Sequence, residues 1–137
     1  MITHFDYWLG CIIDALKGAD ALEDTIIIHA ADHGLALGNH GLMGKQNLYE
    51  HSIKVPLLVS GPGVPAGEVR ETMVSSPDLF PTVCDLVEVP VPASVEGCSF
   101  ATTLADGEAP HRDEVFAAAR KSWNDPEDSF DSPGFAR

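Results

Sequence analysis

The sequence predicts an α/β fold, a mostly parallel sheet with flanking helices, and three observations carry that reading. An amphipathic helical stretch at residues 5–16 precedes a short β-branched run, Thr25 to Ala31, that has no polar alternation. A helix followed by a strand of that kind is half of an α/β unit. A second apolar run, Val55 to Ser60, is followed by another helix opened by serine and proline.

Each element has its own signal. Phe5, Trp8, Leu9, Ile12, Ile13 and Leu16 repeat at the period of one helical face. Thr3, with Asp6 three residues on, is the expected N-cap, and Gly18 ends the pattern. The run Thr25-Ile-Ile-Ile-His-Ala-Ala31 reads as a strand buried on both faces, as in parallel sheets. Residues 34–50 carry glycine at positions 34, 38, 41 and 44 and read as a long irregular loop with one helical turn near Gln46 to Glu50. Val55 to Ser60 is the second strand, with Pro56 at its start because proline cannot donate to a ladder. Ser76-Pro77 opens a helix, serine as N-cap, whose expected buried face is Leu79, Phe80, Val83, Leu86 and Val87. Pro90, Pro92 and Gly97 form a connector, and Val115 to Ala119 is expected as a further strand. The predicted organisation is one catalytic-type domain over residues 1–120 and an acidic, poorly ordered tail over residues 121–137.

Composition narrows the function classes. The 137 residues include 21 acidic and 8 basic side chains, a net charge of −13, so the basic footprint of a nucleic-acid binder is missing. No apolar run reaches the roughly 20 residues of a membrane-spanning helix. Met1-Ile-Thr-His-Phe-Asp has neither a basic nor an apolar leader region, so no signal peptide is visible, and the compartment stays open because the chain need not begin where its relatives do. Cys11, Cys84 and Cys98 are too few and too scattered for a disulfide framework or a zinc knuckle. Cys11 and Cys84 read as small core residues.

Chemistry gathers behind the first strand. Asp32-His33 stands at its carboxyl end, where ligand sites form in open α/β sheets. Aspartate offers a hard oxygen ligand, histidine a nitrogen ligand, and Gly34 a turn with no side chain in the way. His40 and Lys45 follow on the glycine-rich loop, and a lysine is a compact charge suited to a sulfate or phosphate oxygen. The competing reading leaves Asp32 capping a turn, His33 exposed, His40 bonded to backbone and Lys45 solvated. His29 reads as a core histidine.

Asp32-His33-Gly34, Leu37-Gly38-Asn39-His40-Gly41-Leu42, Gly44-Lys45 and Leu48-Tyr49-Glu50 together resemble the C-terminal half of the type I sulfatase catalytic domain, of the alkaline phosphatase superfamily. Ile12 to Leu16, Asp24 to Ile28, Val55-Pro56-Leu57, Gly61-Pro62-Gly63, Asp78 to Thr82 and Val95 to Phe100 extend the likeness over roughly residues 1–120. The resemblance implies a partial alkaline-phosphatase-like fold and metal-assisted hydrolysis of sulfate esters. It implies Asp32 and His33 as ligands of a divalent cation, expected to be Ca2+. It also implies Lys45 as the contact to the sulfate group, with His33 beside it in the catalytic set and His40 as a second substrate contact. A small-molecule or carbohydrate sulfate ester is the implied substrate.

The sequence departs from the family in one respect that matters for chemistry. Sulfatases attack with a formylglycine made within a Cys/Ser-x-Pro-x-Arg motif, and this chain contains none; Ser75-Ser76-Pro77-Asp78-Leu79 has leucine where the motif has arginine. The paired aspartates that complete the family's metal site are missing too. The chain is therefore expected to be a truncated sulfatase, inactive alone, with self-association through uncovered sheet surface. Two alternatives stand beside it: a fragment of a phosphonate monoester or phosphodiester hydrolase of the same superfamily, and a non-catalytic α/β interaction module.

Overall fold

The computed structural model describes residues 1–45 and 47–117. The expected acidic tail, residues 121–137, lies outside them. The order is helix α1 (Ile2–Gly18), strand β1 (Ile27–Ala30), short strands β2 (Ala36–Leu37) and β3 (Met43–Gly44), helix α2 (Glu50–Ile53), strand β4 (Leu57–Ser60), helix α3 (Leu79–Leu86) and helix α4 (Ala101–Ala105). Among the described residues no helix is long and apolar enough to cross a membrane.

Helix α1 starts one residue before the expected Thr3 cap, with Met1 at the N-cap and no side-chain cap bond. Its apolar stripe is only partly covered. Leu9, Ile13 and Leu16 are half-buried, whereas Phe5, Trp8 and Ile12 are exposed. The Phe5 ring meets the His29 ring of β1 at 5.8 Å, which ties the helix to the strand and places His29 in a half-buried apolar contact.

The strand pairing corrects the expected parallel arrangement. β1 and β4 pair antiparallel, with Ile27 opposite Ser60 and Ala30 opposite Leu57. A parallel return needs a crossover, usually a helix that carries the chain back along the sheet. The link from Ala31 to Pro56 instead holds the β2–β3 hairpin and the 4-residue helix α2, so Leu57 starts from the end where Ala30 stopped. For the same reason β1 is not buried on both faces: Ile27, Ile28 and His29 are half-buried and Ala30 is exposed. Pro56 does precede β4, as its missing N–H requires.

Residues 34–50 are more ordered than a loop. β2 and β3 form an antiparallel hairpin, with Ala36 opposite Gly44 and Leu37 opposite Met43. The expected helical turn comes slightly later, as α2, and Gln46 lies outside the described residues.

The second half is organised by a buried carboxylate. Ser75, not Ser76, is the cap of the turn Ser76–Asp78: its side chain accepts from the Asp78 backbone, and the Asp78 side chain accepts from the Ser75 N–H at 2.8 Å. The reciprocal bond is a capping box, with aspartate at the position usually held by Glu or Gln. Asp78 is fully buried, and its other oxygen accepts from the Cys98 N–H at 2.8 Å and from the Arg112 guanidinium. Thr82 Oγ1 donates to the Asp78 carbonyl at 2.6 Å and accepts from the Phe100 N–H at 3.0 Å. This network decides which face of α3 turns inward. Pro81, Thr82 and Cys84 are buried, while the expected inner residues Phe80, Val83 and Val87 are exposed. Cys11 is half-buried and Cys98 exposed, and all three thiols are free.

Arg70 closes the remaining loop by donating to the carbonyls of Thr103 at 2.9 Å and Leu104 at 3.1 Å. A single antiparallel bridge joins Met73 to Arg112. The strand expected at Val115 to Ala119 does not form over residues 115–117, and its remainder lies outside the described residues. Between β4 and α4 an open groove of about 1040 Å³ is lined by Leu57, Val59, Val74, Phe100 and Leu104, so the apolar underside of the sheet is not filled by side chains.

Candidate active site

Three of the residues singled out in the sequence meet at the end of β1. Asp32 and His33 follow β1 after Ala31, and Lys45 arrives from the end of the β2–β3 hairpin. Lys45 Nζ lies 2.7 Å from His33 Nε2, across 12 residues of chain. Asp32 Oδ2 lies 3.5 Å from the same nitrogen, and Asp32 Oδ1 accepts from the His33 N–H at 3.0 Å. The cluster is open to solvent: the Asp32 side chain is 88% exposed and that of His33 37%.

Two contacts assign the His33 tautomer. Its Nδ1 is 2.9 Å from the Gly34 carbonyl oxygen, which can only accept, so Nδ1 carries the proton. The Lys45 ammonium can only donate, so Nε2 is the acceptor. The Nε2 lone pair is then directed at Lys45, and the Asp32 carboxylate, 3.5 Å from the same nitrogen, acts on the pair through charge.

The segment that follows holds this corner in place. The Gly34 N–H donates to the Ser52 carbonyl of α2 at 2.8 Å. A Cβ at residue 34 would lie 2.0 Å from the His51 carbonyl oxygen, so only glycine permits the approach. Asn47 Oδ1 accepts from Ser52 Oγ at 2.9 Å and from the Tyr49 N–H at 3.1 Å, and the Asn47 N–H donates to the Lys45 carbonyl at 2.8 Å.

His40 meets Tyr49 and His51. It sits at the hairpin tip with φ 53, a left-handed conformation uncommon for a residue other than glycine, and its ring stacks on Tyr49 at 4.4 Å and 21°. His51 lies 5.9 Å from His40 and 5.7 Å from Tyr49, which makes a three-ring group beside the site loop. Tyr49, Ser52 and Asn47 were not singled out in the sequence, because a ring stack and hydrogen bonds to neighbouring groups are not signalled by residue type. The Ser75 to Asp78 capping spacing, by contrast, was a readable signal for the buried network.

A divalent cation fits these residues only in part. Asp32 offers an exposed carboxylate and His33 one ring nitrogen, while calcium takes 6–8 oxygens. Among the described residues no group of three or more His, Cys, Asp or Glu side chains could hold a metal. The segment can contribute ligands to such a site but does not complete a coordination shell.

Comparison with known proteins gives a consistent answer. A family model described as Sulfatase matches residues 1–89. Arylsulfatase K of Mus musculus is 36% identical over 123 residues, covering 90% of this chain and 22% of that protein. Choline-sulfatase of Rhizobium meliloti is 40% identical over 88 residues, covering 64% of this chain and 17% of that protein. Among solved structures, a phosphonate monoester hydrolase from Silicibacter pomeroyi superposes with TM-score 0.72 at 38% identity, over 77% of this chain and 21% of that one. A protein solved in complex with its substrate, D-glucosamine-2-N,6-O-disulfate, superposes with TM-score 0.76 at 29% identity, over 85% of this chain and 24% of that one. The chain thus spans about a fifth of the length of the curated relatives it matches. The neighbours have the alkaline-phosphatase-like α/β fold, of which this chain is a part with small sheets and helices. With the family model matched over more than half its residues, the chain belongs to the sulfatase family.

Proposed function

We propose that this chain is the part of a sulfate-ester hydrolase that grips the ester's anionic group, with Lys45 as the anion contact and Asp32 and His33 as its contribution to a divalent-cation site. The observation that carries the reading is the 2.7 Å approach of Lys45 to His33 beside Asp32. An ammonium held there meets a sulfuryl oxygen as a point charge and favours the charge that shifts onto that group in the transition state. His33 Nε2 holds Lys45 at this corner, and its one lone pair serves either the ammonium or a cation; the Nδ1–H bond to Gly34 fixes the ring that carries it. Asp32 adds the negative charge that a cation would require. The resemblance points to calcium as that cation. His40 was expected as a second substrate contact; its ring lies on Tyr49, and in this proposal it supports the site instead of touching the ester.

A second reading has specific support. Two phosphonate monoester hydrolases, from Silicibacter pomeroyi and Agrobacterium radiobacter, superpose at 38% and 37% identity, so the anion gripped by Lys45 could equally be a phosphonate monoester. Both anions present oxygens that an ammonium recognises, and the residues described here do not discriminate between them.

The test is a chimera in which residues 1–89 replace the matching segment of the Rhizobium meliloti choline-sulfatase. It is assayed with choline sulfate, an aryl sulfate and a phenyl phosphonate monoester. Turnover is expected, and Lys45→Ala within the chimera is expected to lower kcat by about 10²–10³-fold, the usual effect of removing one electrostatic contact to the transition state. A chimera whose rate is indifferent to Lys45→Ala would overturn the assignment.

A further inference from the structure

We infer that Tyr49 and His40 are positioning residues: their ring stack clamps the Lys45 hairpin to the same helical turn that holds His33, and so sets the Lys45–His33 contact. The proposal deepens the site reading above and rests on its central pair. Helix α2 is attached to both halves of that pair. On one side the Ser52 carbonyl takes the Gly34 N–H, the bond next to His33. On the other side Tyr49, the N-cap residue of α2, lies flat against His40 at the tip of the hairpin whose last strand residue, Gly44, precedes Lys45.

The hairpin alone holds Lys45 weakly. β2 and β3 have 2 residues each, and an isolated two-stranded pair is marginal in water. Only Ala36 in it is fully buried. The tip also carries an unfavourable backbone, since His40 has φ 53 where glycine would be at ease. Something must offset that conformation, and the 4.4 Å stack on Tyr49 is the contact that does so, since stacked aromatic rings attract beyond their buried area. The Asn47 bonds to Lys45, Tyr49 and Ser52 make the same turn the common anchor. A ring at residue 49 therefore acts on Lys45 at a distance, without touching the ester.

The experiment reads the Lys45–His33 contact in the full chain by ¹⁵N imidazole NMR, which requires no turnover. The Gly34 carbonyl holds the His33 proton on Nδ1, so the readout is the Nε2 resonance, which moves upfield when Lys45 donates to it. Lys45→Met sets the position without that contact. Tyr49→Phe keeps the ring and should keep the wild-type Nε2 position. Tyr49→Ala should move it to the Lys45→Met position, and His40→Gly should move it too. His40→Gly removes the ring while relieving the left-handed backbone, so misfolding of the tip does not account for its effect. Retention of the wild-type position in His40→Gly, or its loss in Tyr49→Phe, would overturn the clamp. If Lys45→Met leaves the wild-type signal unchanged, the Lys45–His33 pair itself fails, and with it the active-site reading; a clamp that fails while Lys45→Met responds leaves that reading standing.

Discussion

Asp78 gathers more bonds than any residue of the candidate site. Its carboxylate takes the N–H groups of Ser75 and Cys98 and the Arg112 guanidinium, and its exposure is 0%. Breaking a buried charge pair from one side leaves the partner uncompensated and costs about 3–5 kcal/mol. Asp78→Ala is therefore expected to cost that amount, read as a fall in the urea midpoint, and Asp78→Asn to cost less because it keeps an oxygen acceptor. A midpoint shift equivalent to under about 1 kcal/mol for the alanine variant would mean the network is incidental. Asp32 was visible in the sequence because it follows a buried strand run, and Lys45 because it lies on the glycine-rich loop behind it in an order that resembles the sulfatase motif. The role of Gly34 was half visible: its freedom from a side chain was readable, but the carbonyl it approaches, that of His51, comes from a separate turn.

At the scale of elements, the helix signals located α1 and α3 correctly, and the faces they bury differ from expectation. Periodicity identifies an apolar stripe; it does not say whether a partner covers it. In α3 the polar bonds of Asp78 and Thr82 outweigh the stripe, and the small residues turn inward. In α1 Trp8 and Ile12 remain 54% and 59% exposed. Trp8→Gln and Ile12→Gln are expected to change the stability of this chain by no more than about 0.5 kcal/mol each, the range for surface positions. The same substitutions are expected to weaken self-association in sedimentation velocity, since an exposed apolar face favours association. Larger losses of stability in thermal melts, with unchanged sedimentation, would show that α1 is packed and not exposed. The strand pair followed another rule. Apolar runs without alternation suggested parallel neighbours, and the pairing turned out antiparallel because the connection between β1 and β4 holds a hairpin and a single helical turn.

For the whole molecule, the buried apolar residues among those described are Ala36, Cys84 and Phe100, and the largest fully buried side chains are Thr82, Thr103 and Asp78. Polar bonds, not a large apolar core, organise the second half. Sulfate-ester cleavage needs an activated nucleophile in line with the leaving oxygen. In the proposed reading Asp32, His33 and Lys45 supply charge and orientation only, and the sequence has no Cys/Ser-x-Pro-x-Arg motif. The chain alone is expected to give no turnover of an aryl sulfate with calcium above blank, and no micromolar calcium affinity by calorimetry. Turnover that disappears in Asp32→Ala and Lys45→Ala would show instead that a complete site exists here. The sequence by itself determined the family, the α/β class, the places of the main helices and strands, and the residues of opposite charge behind the first strand. Those follow from local signals: hydrophobic period, capping spacing, and an ordered string of motif residues. Tertiary structure alone decided the antiparallel pairing, the inward face of α3, the stacking of His40 on Tyr49, and the bond from the Gly34 N–H to the Ser52 carbonyl of α2. Each of these depends on groups distant in sequence meeting in space, where a carbonyl, a ring or a buried carboxylate sets the geometry that residue types leave open.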